Sequence, residues 1–406
     1  MDKDEARISS RSPTTKATEK VAVNIWCSLT YVGDIDVINQ QFACEFWMTA
    51  TWKAEPKLQG KKNEEVDWDQ EWDPKITFTN ATAIDRMQKG QRLYTSEEGG
   101  KEMTYAQEMY KVRGTFKGQV DLADFPLDFQ ELPIILSSDW TDRHVKFQKD
   151  MLKGDVIRHL GFSAPQEWSL CSHVHTDVTS IVLECPGASD RHYPMYIITA
   201  HVQRKIGYYI WNVVLFMFVI TGLSFASFAV SPDHLADQLT VTLTILLTGV
   251  AFKFAVSKNL PSVSYATLLD KYVLIHLLFV CFIALLNTMS SAITPTSRAS
   301  YNFACMAGGL GVFVLIQVVM VIVAAFKRRV AKRELMKFAN LYKKRDDEIE
   351  RMRRERDWYA ERSKQPKTPT ITLTPALRQF TFSANGVTKS PREREGSAPD
   401  SPKSYV

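Results

Sequence analysis

The run Asp237-Gln-Leu-Thr240-Val-Thr-Leu-Thr244-Ile-Leu-Leu247-Thr-Gly-Val-Ala251-Phe-Lys-Phe254-Ala-Val-Ser-Lys258-Asn-Leu-Pro261 decides the fold of this 406-residue chain. It is apolar enough to cross a bilayer. Yet Thr240, Thr244, Leu247, Ala251, Phe254 and Lys258 recur at steps of four and three, which places them on one helical face at about 100° per residue. Hydroxyls at one end and large apolar groups beyond them suit a helix beside a water path. Threonines that bond back to their own helix give the same pattern inside a packed bundle, so the stripe alone leaves both readings open. Asp237 opens the segment, Pro261 closes it, and Lys253, about 140° from the stripe centre, is directed toward neighbouring protein.

Working outward, apolar helices are expected over about 208–230, 239–256, 266–292 and 301–326, each near the roughly 20 residues a bilayer demands. A mean hydropathy of −0.17 is too low for a chain that is membrane throughout, so a soluble part must precede them. Residues 21–204 read as an all-β sandwich. Segments such as 21–29, 42–52, 120–136, 180–185 and 196–202 are short, rich in β-branched and aromatic residues, and bounded by turn formers. The net charge of +5 is small and gathers beyond Phe326, which argues against nucleic-acid binding. No nucleophile motif, phosphate loop or metal-ligand spacing is visible, so neither an enzyme nor a cofactor is expected.

The ends are polar. Residues 1–20 read as a disordered leader and 364–406, rich in Ser, Thr and Pro, as a disordered tail. Between them, 327–363 reads as a charged continuation of the fourth helix. Leu335, Phe338, Tyr342, Ile349, Met352 and Tyr359 form a loose heptad seam broken by Arg345 and Arg356, consistent with a solvated helix or a weak coiled coil.

The run Gly118-Gln-Val-Asp-Leu-Ala-Asp-Phe125-Pro126-Leu127-Asp128-Phe-Gln-Glu-Leu132 resembles the signature loop of the pentameric ligand-gated ion channels. It is joined in the family's order by Trp72-Asp-Pro74 with Asn80, Glu167-Trp168, Gln203-Arg204, Asn259-Leu-Pro261 and Lys271-Tyr272. Gly118 and Leu132 stand where animal members carry cysteines, and the link at 291–301 is as short as in bacterial members. Phe216 replaces a kinking proline in the first span, so a straighter helix is expected there.

The resemblance implies a four-helix transmembrane bundle after the sandwich, five copies around a central pore (each chain with four identical partners), and a plasma-membrane receptor with its N-terminal domain outside. Its partners would be membrane lipids, a small-molecule agonist and permeant ions, monovalent cations being favoured by Leu235-Ala-Asp-Gln238 where anion-selective relatives carry Pro-Ala-Arg. Lys258 opposes the field of Asp237 and keeps an anion channel open as the alternative, beside a non-conducting receptor of the same fold. For ligand binding, Trp47 matches the complementary-side aromatic and Tyr193 an aromatic on the capping hairpin 184–193. Trp140 lies one residue out of register, and Thr79 and Cys185 replace two further aromatics, which depletes the site for quaternary amines. Arg204, Asp128, Asp36 and Pro261 match the coupling positions, with both aspartates facing Arg204.

Three residue-level expectations remain. Cys27 with Cys44, and Cys171 with Cys185, sit at hairpin spacings, though free buried thiols are the preferred reading. His173 and His175 share a strand face, read as exposed for want of a third metal ligand. Asn80-Ala-Thr82 is a glycosylation sequon that agrees with an extracellular sandwich. Against it, the basic cluster after Phe326 favours a cytoplasmic C-terminus, and no signal peptide is visible. The family orientation is adopted because the ligand-binding domain requires it.

Overall fold

The computed structural model describes residues 20–98, 101–183, 191–231, 233–257, 263–290 and 292–364. Met1–Tyr359 form one compact unit, and of the second, Ala360–Val406, the described residues are the end of a helix.

Among the described residues ten strands build the first half: β1 (Val21–Asp36), β2 (Gln41–Lys53), β3 (Ile76–Phe78), β4 (Ala81–Glu98), β5 (Lys101–Lys117), β6 (Phe129–Ser138), β7 (Val145–Lys149), β8 (Val156–Ile157), β9 (Trp168–Leu183) and β10 (Arg191–Arg204). They form two sheets, one ordered β4-β5-β2-β1-β7 with β8 beside β1, the other β3-β6-β10-β9. Strand β2 shows why they close on each other: Phe42, Cys44, Phe46, Met48, Ala50 and Trp52 alternate inward and are all buried. Phe46, Tyr110 and Phe116 from one sheet share the core with Leu136, Tyr196 and Ile198 of the other. Cys27 lies opposite Met48 and Cys44 opposite Val32, so the two thiols are out of register and free, as is Cys171. Cys185 lies outside the described residues.

Residues 120–128, expected as strand, form a turn-rich loop, and pairing begins only at Phe129. The longest hairpin, β4–β5, was invisible to pattern because stretches such as Gln88-Lys-Gly-Gln-Arg92 show no apolar alternation.

Among the described residues four helices are long and apolar enough to cross a membrane: α1 (Gly207–Ala229), α2 (Leu235–Ser257), α3 (Leu268–Ser290) and α4 (Pro295–Lys364). Helix α1 is not the regular helix that the missing proline suggested. A π-helical turn at Ile210–Val214 precedes Phe216, and Ser224–Ala229 tightens to 3-10 geometry, with Ser224 and Ser227 hydroxyls donating to the carbonyls of Thr221 and Ser224. Helix α2 approaches α3 closely at Gly249, where an added Cβ would lie 2.7 Å from Leu277.

At about 1.5 Å per residue the 70 residues of α4 extend for roughly 105 Å. After its membrane segment the helix continues along the sandwich as a strap. Lys327 pairs with Asp124 of the signature loop at 2.9 Å, Phe338 covers His201 and His175, and Tyr342 donates to the Asp155 carbonyl. Arg345 reaches the Asp155 carboxylate (3.1 Å) and the Thr176 hydroxyl (2.8 Å), and Arg353 donates to the Leu152 carbonyl. From Leu335 to Ile349 the seam thus faces this chain's own β-domain rather than solvent or another helix. Arg345, read as a break in it, is its best-anchored residue. This contact places the basic segment on the sandwich side of the membrane.

Candidate functional site

Helix α2 is pinned from behind. Gln238, Thr242 and Gly249 are its buried residues. Gln238 donates to the Val230 carbonyl, while Asn287 of α3 donates to both Ser227 and Thr242 hydroxyls. These bonds tie three helices together in an apolar surrounding, where unpaired polar groups are costly. They fix the helix rotation, and Asp237, Thr240, Thr244, Leu247, Ala251 and Phe254 all emerge on the exposed side, Leu247 at 70% and Phe254 at 67%. Thr240 and Thr244 do bond back to the carbonyls of Ala236 and Thr240, both at 2.7 Å. The two readings of the threonines are therefore compatible: the hydroxyl proton is satisfied along the helix and oxygen lone pairs face outward. Lys253 is half-buried. Lys258 and Pro261 lie outside the described residues.

At the junction with the sandwich, Arg204 ends β10 and donates through Nε and Nη2 to the two carboxylate oxygens of Asp128 (2.9 and 3.2 Å). Both side chains are almost wholly buried. The guanidinium lies 4.0 Å from the Trp168 ring and 4.8 Å from that of Phe125, so its faces as well as its edge are occupied. Asp36 does not join them. It caps its own exposed turn, accepting from the backbones of Ile38 and Asn39 and from the Asn39 amide, and these bonds, the Asn39 backbone's first, hold its carboxyl below the ordinary range. Its short side chain is spent locally, as Asp at a turn commonly is.

Without cysteines the signature loop is closed by an amide. Gln130 donates to the Asp121 carbonyl (2.7 Å) and to Asp128 (2.5 Å), and accepts from the Asp121 N–H. The loop then docks on α3. Leu268 and Leu269 donate to the carbonyls of Ala123 and Phe125, and Phe125 packs edge-on against Tyr209 of α1 at 4.7 Å. A polar Gln heading the inward-facing series Gln130, Leu132, Ile134 and Leu136 was the available signal for this closure.

The aromatic residues fall into two groups. Trp47 stands exposed on β2, with the Lys111 ammonium 5.3 Å from its ring centre. Trp140 is buried, donates to the Asp73 carbonyl and carries Lys75 at 5.1 Å. Lys75 takes φ 43°, a left-handed conformation costing about 1–2 kcal/mol. The Trp140 loop meets the Tyr193 strand through Asp142 N–H to the His192 carbonyl (2.8 Å). The segments that carry Trp140 and Tyr193 are therefore neighbours, and Trp47 lies on the other sheet. Sequence reading missed a charged group behind Trp140: fully buried Glu108 binds Lys89 (2.6 Å), Gln91 and the Tyr110 hydroxyl, and Asp73 approaches Lys89 at 3.4 Å. Burial alone would lower the Lys89 ammonium, but the bond and charge of Glu108 outweigh it and raise it.

Two further expectations are corrected. Asn80 is committed to the fold, its amide nitrogen donating to the carbonyls of Lys117 and Pro133 (2.7 Å each) and its oxygen accepting from Ile135, so the nitrogen a glycan needs is already in use. His173 is buried rather than exposed, because α4 covers that face. Among the described residues no group of three metal-binding side chains is close enough to hold an ion.

The neurotransmitter-gated ion-channel ligand binding domain family matches residues 8–206. Similar curated proteins include the neuronal acetylcholine receptor subunit alpha-6 of Rattus norvegicus, 21% identical over 66% of this chain and 54% of its own length. The acetylcholine receptor subunit alpha-type acr-16 of Caenorhabditis briggsae is 25% identical over 63% of this chain and 50% of its own. The neuronal acetylcholine receptor subunit alpha-9-II of Oncorhynchus mykiss is 29% identical over 38% and 26%. The chain spans about half the length of the first two. Residues 8–206 thus carry the ligand-binding domain of the neurotransmitter-gated ion channels, and with a two-sheet sandwich, a buried arginine at its base and four apolar helices in this order the chain has the organisation of a multi-pass pentameric ligand-gated ion channel subunit without the signature-loop cysteines.

Proposed function

We propose that the protein is a ligand-gated ion channel of the plasma membrane formed by five copies of this chain. The observation that carries it is the α2 face: a stripe from Asp237 to Phe254 held outward by a polar network on the reverse side. In five-fold symmetry Leu247 becomes an apolar ring that closes by dewetting, Thr240 and Thr244 a narrow polar level, and Asp237 a ring of carboxylates that favours cations. In bilayers under a sodium chloride gradient, the reversal potential is expected to move toward sodium, and Asp237→Asn to reduce cation conductance several-fold. A reversal potential that follows chloride overturns the cation assignment, and no current from any applied agonist favours the non-conducting receptor.

Trp47 stands on one sheet and Tyr193, with the neighbouring Trp140 loop, on the other, and we assign the completion of a site using all three to the next subunit. The relatives' names point to acetylcholine, but the ring faces such a cation needs already carry Lys111 and Lys75. Acetylcholine is therefore expected to evoke little current, and Lys111→Ala to increase it. A large wild-type response to acetylcholine would show that the lysines yield.

A further inference from the structure

Beneath the strap lies a cluster of titratable side chains that neither conduction nor the Arg204 junction uses. His173 and His175 stand on β9, and the register shift between Ala200 and Val202 brings His201 of β10 alongside them. The His173 and His201 ring centres are 4.9 Å apart. Phe338 of the strap lies over His201 at 4.5 Å, nearly parallel, and 5.1 Å from His175. His201 is fully buried and neither of its ring nitrogens has a hydrogen-bond partner, nor has Nε2 of His173. Such orphaned groups are costly in a folded chain, and a second positive charge among them would cost more.

The charged groups facing the cluster come from every element around it. Glu131 of β6, which lies 3.8 Å from His201, and Asp177 of β9 favour protonation of His175, while Lys149 of β7 opposes it. Arg345 and Asp155 sit farther along the strap contact. Burial, then His201 and His175, holds His173 down to about 4, and burial, Lys149 and His201 lower His175.

We propose that these imidazoles form a proton-binding site that latches the strap: neutral rings retain Phe338, and protonation releases it from β9 and β10, the strands leading to Tyr193. The latch stands apart from conduction, whereas its effect on current rests on the channel reading. A group whose attached-state pKa lies below its free value strengthens attachment fully above about 6.5 and loses that contribution as pH falls toward about 4.

Hydrogen–deuterium exchange of the full chain in lipid nanodiscs tests this at pH 7.5 and 5.0, with rates corrected for intrinsic chemistry. The opening of residues 331–352 is expected to increase several-fold at pH 5.0. His201→Phe, which keeps the stack and removes a proton site, should blunt that response, as should His173→Gln should the first variant not fold. Phe338→Ala, a change on the strap itself, should leave it open at both pH values. Equal corrected exchange at both pH values in the unaltered chain, or a full response in the histidine variants, overturns the latch. Strap release without any current would sink the channel reading and leave the latch standing. Agonist currents with an unresponsive strap would do the reverse.

Discussion

Arg204→Ala is expected to abolish agonist-evoked current, either because ligand binding no longer reaches the helices or because the protein fails to assemble. The substitution leaves Asp128 as a buried carboxylate without its cation and empties the space between the Trp168 and Phe125 rings. Breaking a buried pair in this way commonly costs about 3–5 kcal/mol, a factor of roughly a hundred to several thousand in an equilibrium constant. Gln130 retains a bond to Asp128 but supplies no charge. Arg204→Lys should recover only part of the loss, because an ammonium neither forks onto both carboxylate oxygens nor stacks flat on a ring. Surface labelling beside current recording separates failed assembly from failed coupling. Normal agonist responses in Arg204→Ala would remove the junction from the gating path.

The second large effect is expected at Arg345. Asp155 is 2% exposed, and its remaining oxygen accepts the Cys27 backbone N–H. Burial raises this carboxyl and the Arg345 guanidinium restrains the rise. Arg345→Ala should destabilise the strap contact by about 2–3 kcal/mol, below the full buried-pair value because Arg345 keeps 23% of its side chain in water. In the single variant the uncompensated charge is relieved by a proton, so the strap loss should be larger at pH 7 than near pH 4, where Asp155 is protonated more readily. Arg345→Ala with Asp155→Asn should recover a good part of the stability, since no buried charge is then left alone. Thermal unfolding of the solubilised protein measures both. A double variant no more stable than the single one would mean that Asp155 is not what Arg345 serves.

Much of the fold was legible because burial imposes a period. Alternation marked β1 and β2, apolar length marked the four helices, and the stepped stripe on α2 anticipated which side chains emerge outward. Where two polar faces meet, no such period exists. The β4–β5 hairpin carries charge on both faces, so Glu108, buried by its neighbours rather than by its own pattern, left no trace. The strap failed differently. A heptad template requires apolar seam residues, so Arg345 read as an interruption, when a carboxylate 190 positions away in the chain makes that position favourable for arginine. His173 read as exposed for the same reason, since nothing within a strand announces that a distant helix will cover it. Asp36 and Asn80 show the limit of motif transfer: each stands at its matched position, yet its hydrogen bonds are consumed by its own turn or strand pairing.

The amide closure of the signature loop has a consequence for how such a receptor is made. A loop held by Gln130 sets no redox threshold. Dithiothreitol should leave its junction with α3 intact, and closing this loop needs no oxidising lumen. Translation in a reducing cell-free extract supplied with lipid is a feasible route to the folded protein.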